Sequence, residues 1–214
     1  TDTIKAINLK KNYENGFQAV RDITFGVEKA QIFGLLGPNG AGKSSTFNIL
    51  ATLIPKSSGE IAILGQRCEG VQPELGQHVG ICPQSDTLWE VMTPIEHLKV
   101  FGKLKGIDEN ALPHHINYYL QMLDLNEHAN KKVNELSGGN KRKLCVANSL
   151  IGASVLQFFD EPSTGLDAMA RRSLWSIITA NLEARNSSII FTTHSMGEAE
   201  TLCHKIGKIF FFIS

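Results

Sequence analysis

The stretch "GLLGPNGAGKSSTFNIL", Gly34 to Leu50, decides how this chain is read. Three glycines, Gly37, Gly40 and Gly42, fall within six positions, directly before Lys43, Ser44 and Ser45. Upstream, "QIFGLLG" is a short apolar run closed by glycine and reads as a buried strand. Downstream, Phe47, Leu50, Ala51 and Ile54 recur at helical spacing, with Pro55 as the expected end of that helix. Flexible backbone between a strand and a helix N-terminus turns successive N–H groups into one concavity without Cβ clashes. The helix adds its own free N–H groups and the positive end of its dipole. Gly37, Pro38, Asn39, Gly40, Ala41, Gly42, Lys43 and Ser44 satisfy G-x-x-x-x-G-K-[ST] in the strand–helix context that gives the pattern meaning. Lys43 is then placed to reach the β/γ-phosphates of a nucleotide, and the Ser44 hydroxyl to ligate Mg²⁺. A plain glycine-rich turn is the weaker alternative.

Working outward, "VLQFFDEPS" reads as a second buried strand leaving at Asp160, and "SSIIFTTHS" as a third leaving at His194. Between them a helix from about Ala168 carries Leu174, Ile177, Ile178 and Leu182 on one face. Strand, helix, strand implies a parallel sheet covered by helices. The chain to about residue 33 has short, roughly alternating segments broken by "ENG", which predicts antiparallel strands. Residues of about 88–150 read as helical. Thr93, Pro94 and Glu96 form a capping box, Leu112, Ile116, Tyr119, Leu120 and Leu123 recur at helical spacing, and "SGGNKRKLCVANSLI" opens with two glycines. The expected fold is α/β, a parallel-sheet core with an antiparallel β region and an α-helical insert, in one domain without internal repeats.

Asp160 and Glu161 sit at the C-terminal end of a parallel strand, where open α/β sheets bind ligands. Beside a phosphate loop, Asp160 is expected to hold Mg²⁺ and Glu161 to polarise an attacking water. A lone histidine after a strand is more often structural. The topology nevertheless gives His194 reach toward a γ-phosphate. Gln157 interrupts an otherwise apolar strand, and is expected to be hydrogen-bonded or partly exposed.

Composition narrows the classes. With 21 Lys+Arg against 21 Asp+Glu the net charge is zero, so there is no basic footprint and no nucleic-acid partner is expected. Cys68, Cys82, Cys145 and Cys203 form no CxxC pair or zinc spacing, and read as reduced, mostly buried thiols. No apolar run approaches the ~18 residues of a membrane span. The chain begins at Thr1 and reads as an excised domain, with any membrane region outside it. Lys141, Arg142 and Lys143 are read as the solvated face of a helix, and His114 and His115 as surface residues.

"LSGGNKRK", with "GPNGAGKSS", "CPQ", "FFDEPSTGLD" and "TTHS" in this order, resembles the nucleotide-binding domain of the ATP-binding cassette (ABC) ATPases, from Tyr13 to about Cys203. The resemblance implies an ABC-type ATPase fold with a RecA-like core, and ATP and Mg²⁺ as cofactors. It implies adenine stacking on Tyr13 with Val20 nearby, and a Walker A loop from Gly37 to Ser45 that includes Lys43. Gln84 becomes the Q-loop glutamine that contacts Mg²⁺ together with Ser44 and Asp160. Asp160 becomes the Walker B aspartate, Glu161 the catalytic glutamate, Asp167 the D-loop and His194 the switch histidine. Ser137, Gly138, Gly139 and Asn140 match the signature, used in trans. It opens a helix and so forms a second anion site. Each ATP is then sandwiched between one domain's Walker A and a second cassette's signature, and an isolated domain hydrolyses slowly.

"LSGGNKRKL", "CPQSDTLWEVMTPIEHL" and "HSMGEAETLC" are similar to subfamily A, the large eukaryotic lipid transporters; a bacterial-type export ATPase is close in pattern. Transmembrane domains are the implied partners and the cytosolic face of a membrane the implied place, with Leu88 and Trp89 read as docking anchors or as core. A soluble ABC regulator and an inactive fragment are the alternatives. The end, "HKIGKIFFFIS", departs from the family with Lys208 inside an expected strand, and reads as truncated or irregular.

Overall fold

The computed structural model describes residues 2–70, 72–152 and 154–209. In chain order the elements are β1 (Asp2–Asn12), β2 (Gln18–Glu28), β3 (Ile32–Leu36), α1 (Lys43–Leu50), β4 (Ser58–Ile63), β5 (Gln66–Arg67), β6 (Val79–Cys82), α2 (Pro94–Leu104), α3 (Leu112–Met122), α4 (Gly138–Leu150), β7 (Leu156–Asp160), α5 (Ala168–Arg185), β8 (Ser188–Thr193), α6 (Met196–Leu202) and β9 (Lys205–Lys208), with short 3-10 turns among them. The class is α/β, with parallel strands and helices beside an antiparallel sheet. The chain divides into two units, one reaching Leu75 and resuming at Asn186, the other Gly76–Arg185.

In the first unit β3 pairs in parallel with both β8 and β9. Every residue of β3 and β8 is buried. A strand covered on both faces has no solvent side, so its sequence reads as a continuous apolar run. The antiparallel sheet has the order β2-β1-β4-β5. β1 and β2 fall within the predicted antiparallel region, whereas β4 and β5 join from residues 58–67. The pairing of β4 with β1 links segments about fifty residues apart, which no local pattern announces. The register of β1 on β2 shifts between Ala6 and Leu9. There Asn8 takes φ 48, and its N–H donates to Thr24 Oγ1 at 2.9 Å. Phe25 of β2 stacks on Phe33 of β3, with ring centroids 4.9 Å apart.

α1 ends at Leu50, a turn earlier than the apolar spacing predicts. Thr52 adopts φ 56, its N–H bonds Ile49 O at 3.0 Å, and Leu53 N–H bonds Asn48 O at 2.8 Å. This is a Schellman stop, which ordinarily takes glycine at the left-handed position. With threonine there, nothing in the sequence marks it. β9 runs beside β3 with Lys208 exposed at its end, and the apolar tail from residue 210 lies outside the described residues.

In the second unit β6 and β7 pair in parallel, and β7 is buried throughout. Gln157 is fully buried and donates from Nε2 to Asn181 Oδ1 of α5 at 2.9 Å. The amide that interrupts the strand is therefore hydrogen-bonded through its nitrogen, while its buried Oε1 has no hydrogen-bond partner among the described residues. α2 begins with the predicted capping box: Thr93 Oγ1 accepts from Glu96 N–H at 3.3 Å, and Glu96 Oε2 from Thr93 N–H at 2.8 Å. Among the described residues no helix is long and apolar enough to cross a membrane.

Two buried polar residues lock the helices. The Tyr119 hydroxyl donates to Leu150 O at 2.7 Å and accepts from Arg185 Nη2 at 2.9 Å. Tyr119→Phe leaves a buried carbonyl and a guanidinium N–H without this partner. It is expected to destabilise the chain by about 1–3 kcal/mol in urea unfolding. His97 is fully buried, with Nε2 accepting from Trp89 N–H at 3.0 Å and Nδ1 facing Thr93 O at 3.0 Å. Burial holds its pKa below the usual histidine value, against the opposing pull of the Thr93 carbonyl and the Glu96 charge. The unfolded chain therefore takes up this proton first as pH falls. The stability due to neutral His97 is complete above about pH 6.5 and is lost below it. Melting temperature should drop between pH 7.5 and 5.5, and the drop should be smaller in His97→Gln.

Candidate functional site

In the first unit, Gly42 occupies the N-cap of α1 with φ 94. A Cβ there would collide with Ala19 O of β2, so only glycine fits both the dihedral and the contact. α1 has no side-chain cap and no acid in its first turn. Its leading N–H groups and dipole end thus have no protein anion supplied from the helix itself. By contrast α2, α4 and α6 are capped by Thr93, Ser137 and Ser195. Lys43 is 5% exposed, and its ammonium donates to Gly37 O at 2.9 Å and Pro38 O at 3.2 Å. The loop thereby holds its own cation against its backbone. Pro38, Asn39 and Gly40 lie on the exposed side, and Ala41 is buried beneath them.

The structure brings other predicted residues to this loop. The Tyr13 hydroxyl lies 3.2 Å from Ser45 Oγ, and Lys11 Nζ sits 5.2 Å over its ring. Val20 is 3% exposed and packs toward Gly42. Ser44 and Ser45 are half-buried, and His194 is exposed after β8. A closed set of bonds frames His194. Thr193 Oγ1 donates to Glu198 Oε2 at 2.5 Å and accepts from Ser195 N–H at 3.0 Å, while Glu198 N–H bonds Ser195 Oγ at 3.4 Å.

In the second unit, Asp160 ends β7 and Glu161 follows it, at 4% and 7% exposure. Glu161 takes φ 46, a left-handed conformation that costs a non-glycine residue about 1–2 kcal/mol. Its Oε2 accepts from Gln84 Nε2 at 3.3 Å and from the Thr164 hydroxyl at 3.4 Å. Gln84, the expected Q-loop glutamine, and Glu161, the expected catalytic glutamate, are therefore in contact. Ser137 Oγ accepts from Asn140 N–H at 3.3 Å, capping α4, and the space above Gly138 is open. A Cβ on Gly139 would meet Leu166, in the segment leading to Asp167, and Asp167 Oδ1 caps α5 through Ala170 N–H at 2.8 Å. A cavity of about 350 Å³ is lined by Gln84, Asp86, Gly138, Arg142 and Thr164 among others.

One expectation is corrected here. Arg142 is not on a solvated face: it is 4% exposed. Its guanidinium donates to Pro162 O at 2.9 Å, Pro83 O at 2.6 Å, Gln84 O at 3.2 Å and Asp160 O at 2.8 Å. Lys141 and Lys143 are half-buried, and His115 is half-buried beside an exposed His114. Trp89 and Val91 are 50% and 74% exposed, with Trp89 leaning on His97 and Phe101. Burial pushes the Cys82 thiol up to about 11 and Cys203 up to about 12, so neither is a nucleophile at neutral pH.

The donors suit the implied cofactor. Ser44, Gln84 and Asp160 offer hydroxyl, amide and carboxylate oxygens, the hard ligands Mg²⁺ takes. Among the described residues no cluster of three or more His, Cys, Asp or Glu could cage a metal. A magnesium that shares its shell with water and phosphate oxygens needs no such cage.

Fold and loop together define a P-loop nucleotide-binding domain. Residues 20–164 match the family described as ABC transporter. ABC transporter A family member 8 of Arabidopsis thaliana is 41% identical over 207 residues, covering 94% of this chain and 23% of that protein. ATP-binding cassette sub-family A member 2 of Homo sapiens is 39% identical over 209 residues, covering 96% of this chain and 8% of that protein. The chain thus spans less than a quarter of the length of these relatives. Among solved structures, the dimeric post-hydrolysis state of an ATP-binding cassette bound to ADP and Pi is similar with a TM-score of 0.88 at 22% identity, over 96% of this chain and 94% of that one. An ATP binding subunit of an ABC transporter is similar with a TM-score of 0.87 at 25% identity, over 97% of this chain and 85% of that one. The chain belongs to the ABC transporter family. It is an ATPase domain of that family, similar in sequence to A-family members.

Proposed function

We propose that this chain is the ATP-hydrolysing cassette of a subfamily A transporter and powers movement of a lipid through transmembrane domains. The observation that carries the nucleotide reading is the start of α1, uncapped, with Gly42 left-handed and Lys43 held within the loop. Backbone N–H groups of Gly37 to Ser45 receive the phosphates, Lys43 offsets their charge, and Tyr13 stacks on the base with Val20 beneath the loop. Ser44, Gln84 and Asp160 hold Mg²⁺, which when bound neutralises charge on the phosphate oxygens. Glu161 accepts the proton of the attacking water, oriented by Gln84, and His194 hydrogen-bonds the γ-phosphate as it leaves.

Ser137, Gly138, Gly139 and Asn140 serve a second cassette, with Asp167 beside them. Met169, 84% exposed next to Asp167, is an apolar side chain that a partner cassette would cover. Exposed Trp89 and Val91 after the Q-loop favour docking of transmembrane domains, on the cytosolic face of a membrane, over the soluble regulator. The lipid assignment rests on the subfamily A resemblance. It is tested on the full-length parent protein in phospholipid vesicles. Lipid should stimulate ATP turnover, and a turnover indifferent to every lipid would contradict the assignment.

A further inference from the structure

Glu161 sits in a left-handed backbone conformation that its residue type disfavours. Such a conformation persists only where the surroundings over-determine it. The carbonyls on either side of it, Asp160 O and Pro162 O, both accept from the guanidinium of Arg142, at 2.8 and 2.9 Å. The same guanidinium binds Pro83 O and Gln84 O at 2.6 and 3.2 Å, and Nη1 lies 3.5 Å from the Asp86 carboxylate. One buried planar cation, carried on α4 a turn after the signature residues, therefore grips the backbone of Gln84 and both flanks of Glu161.

We infer that Arg142 is a positioning residue for hydrolysis. It fixes Gln84 and the strained Glu161 relative to one another and to the helix that carries Ser137 to Asn140. The inference rests on the hydrolytic reading of Gln84 and Glu161. Only a fork of fixed N–H directions can reach four carbonyls at once. A lysine ammonium has three donors on one atom and cannot span them.

The test compares the full chain with Arg142→Lys by amide hydrogen exchange and steady-state ATP hydrolysis. Exchange should quicken at least tenfold in residues 83–90 and 160–166 and stay unchanged in 43–50. The kcat should fall at least tenfold while KM for ATP stays within twofold. In a Gln84→Ala background the same substitution should lower kcat by a clearly smaller factor, because one of the two positioned groups is already gone. Asp86→Asn, which loosens the fork without removing it, should show the same local exchange at smaller size. Unchanged exchange, unchanged kcat, or full additivity with Gln84→Ala would overturn the inference. Faster exchange throughout the chain in both variants would make Arg142 a general packing residue, and would also overturn it. If the unmodified chain turns over no ATP, the hydrolytic reading fails by itself, and the exchange data still decide whether Arg142 holds these two segments.

Discussion

Glu161→Gln is expected to bind ATP as the parent does and to lose turnover by roughly 10²–10⁴-fold, the range a general base contributes. The amide keeps the volume of the carboxylate and can still accept from Gln84 Nε2 and the Thr164 hydroxyl, the contacts seen at 3.3 and 3.4 Å. What it loses is the ability to take a proton. The strained backbone at φ 46 is unaffected by the exchange of oxygen for nitrogen, so melting temperature should be nearly unchanged. With hydrolysis blocked, nucleotide should hold two cassettes together, and sedimentation with Mg-ATP should show a dimer that the parent populates only transiently. A mutant that hydrolyses ATP at the parental rate would remove Glu161 from the mechanism.

Lys43→Ala should act at the earlier step. Its ammonium is 5% exposed and is held to the loop by Gly37 O and Pro38 O. A charged hydrogen bond to phosphate is worth about 1.5–3 kcal/mol. ATP affinity should therefore fall by roughly 10–100-fold, measured by titration with a fluorescent ATP analogue. Gly42, the N-cap of α1, is untouched, so far-ultraviolet circular dichroism should match the parent. Unaltered affinity would show that the loop's N–H groups hold the phosphates without the lysine.

The legible parts of this chain are those in which local sequence and local structure share a cause. The loop from Gly37 to Ser45, the apolar runs of β3, β7 and β8, and the capping box at Thr93 and Glu96 all follow from dihedral freedom, two-sided burial or a hydrogen bond three residues away. The parts that were not legible depend on partners far along the chain. β4 finds β1 across the intervening β2, β3 and α1, and the amide of Gln157 finds Asn181. Arg142, within a basic triplet, looks like a solvated charge until Pro83 and Pro162 are folded against it. The left-handed conformations of Thr52 and Glu161 are imposed by tertiary bonds on residues that do not favour them. The mostly apolar run Leu144 to Leu150, which follows Arg142 on the same helix, is a signal that could be read as burial.

The most direct test of the central claim is ATP hydrolysis by the purified chain at increasing protein concentration, with Mg²⁺, alongside Lys43→Ala. A cassette whose ATP is closed over by the signature of a second copy should show a rate per molecule that rises with concentration and vanishes in the mutant. A rate that is independent of concentration, or equal in Lys43→Ala, would contradict an ATP sandwich built from this loop and this signature.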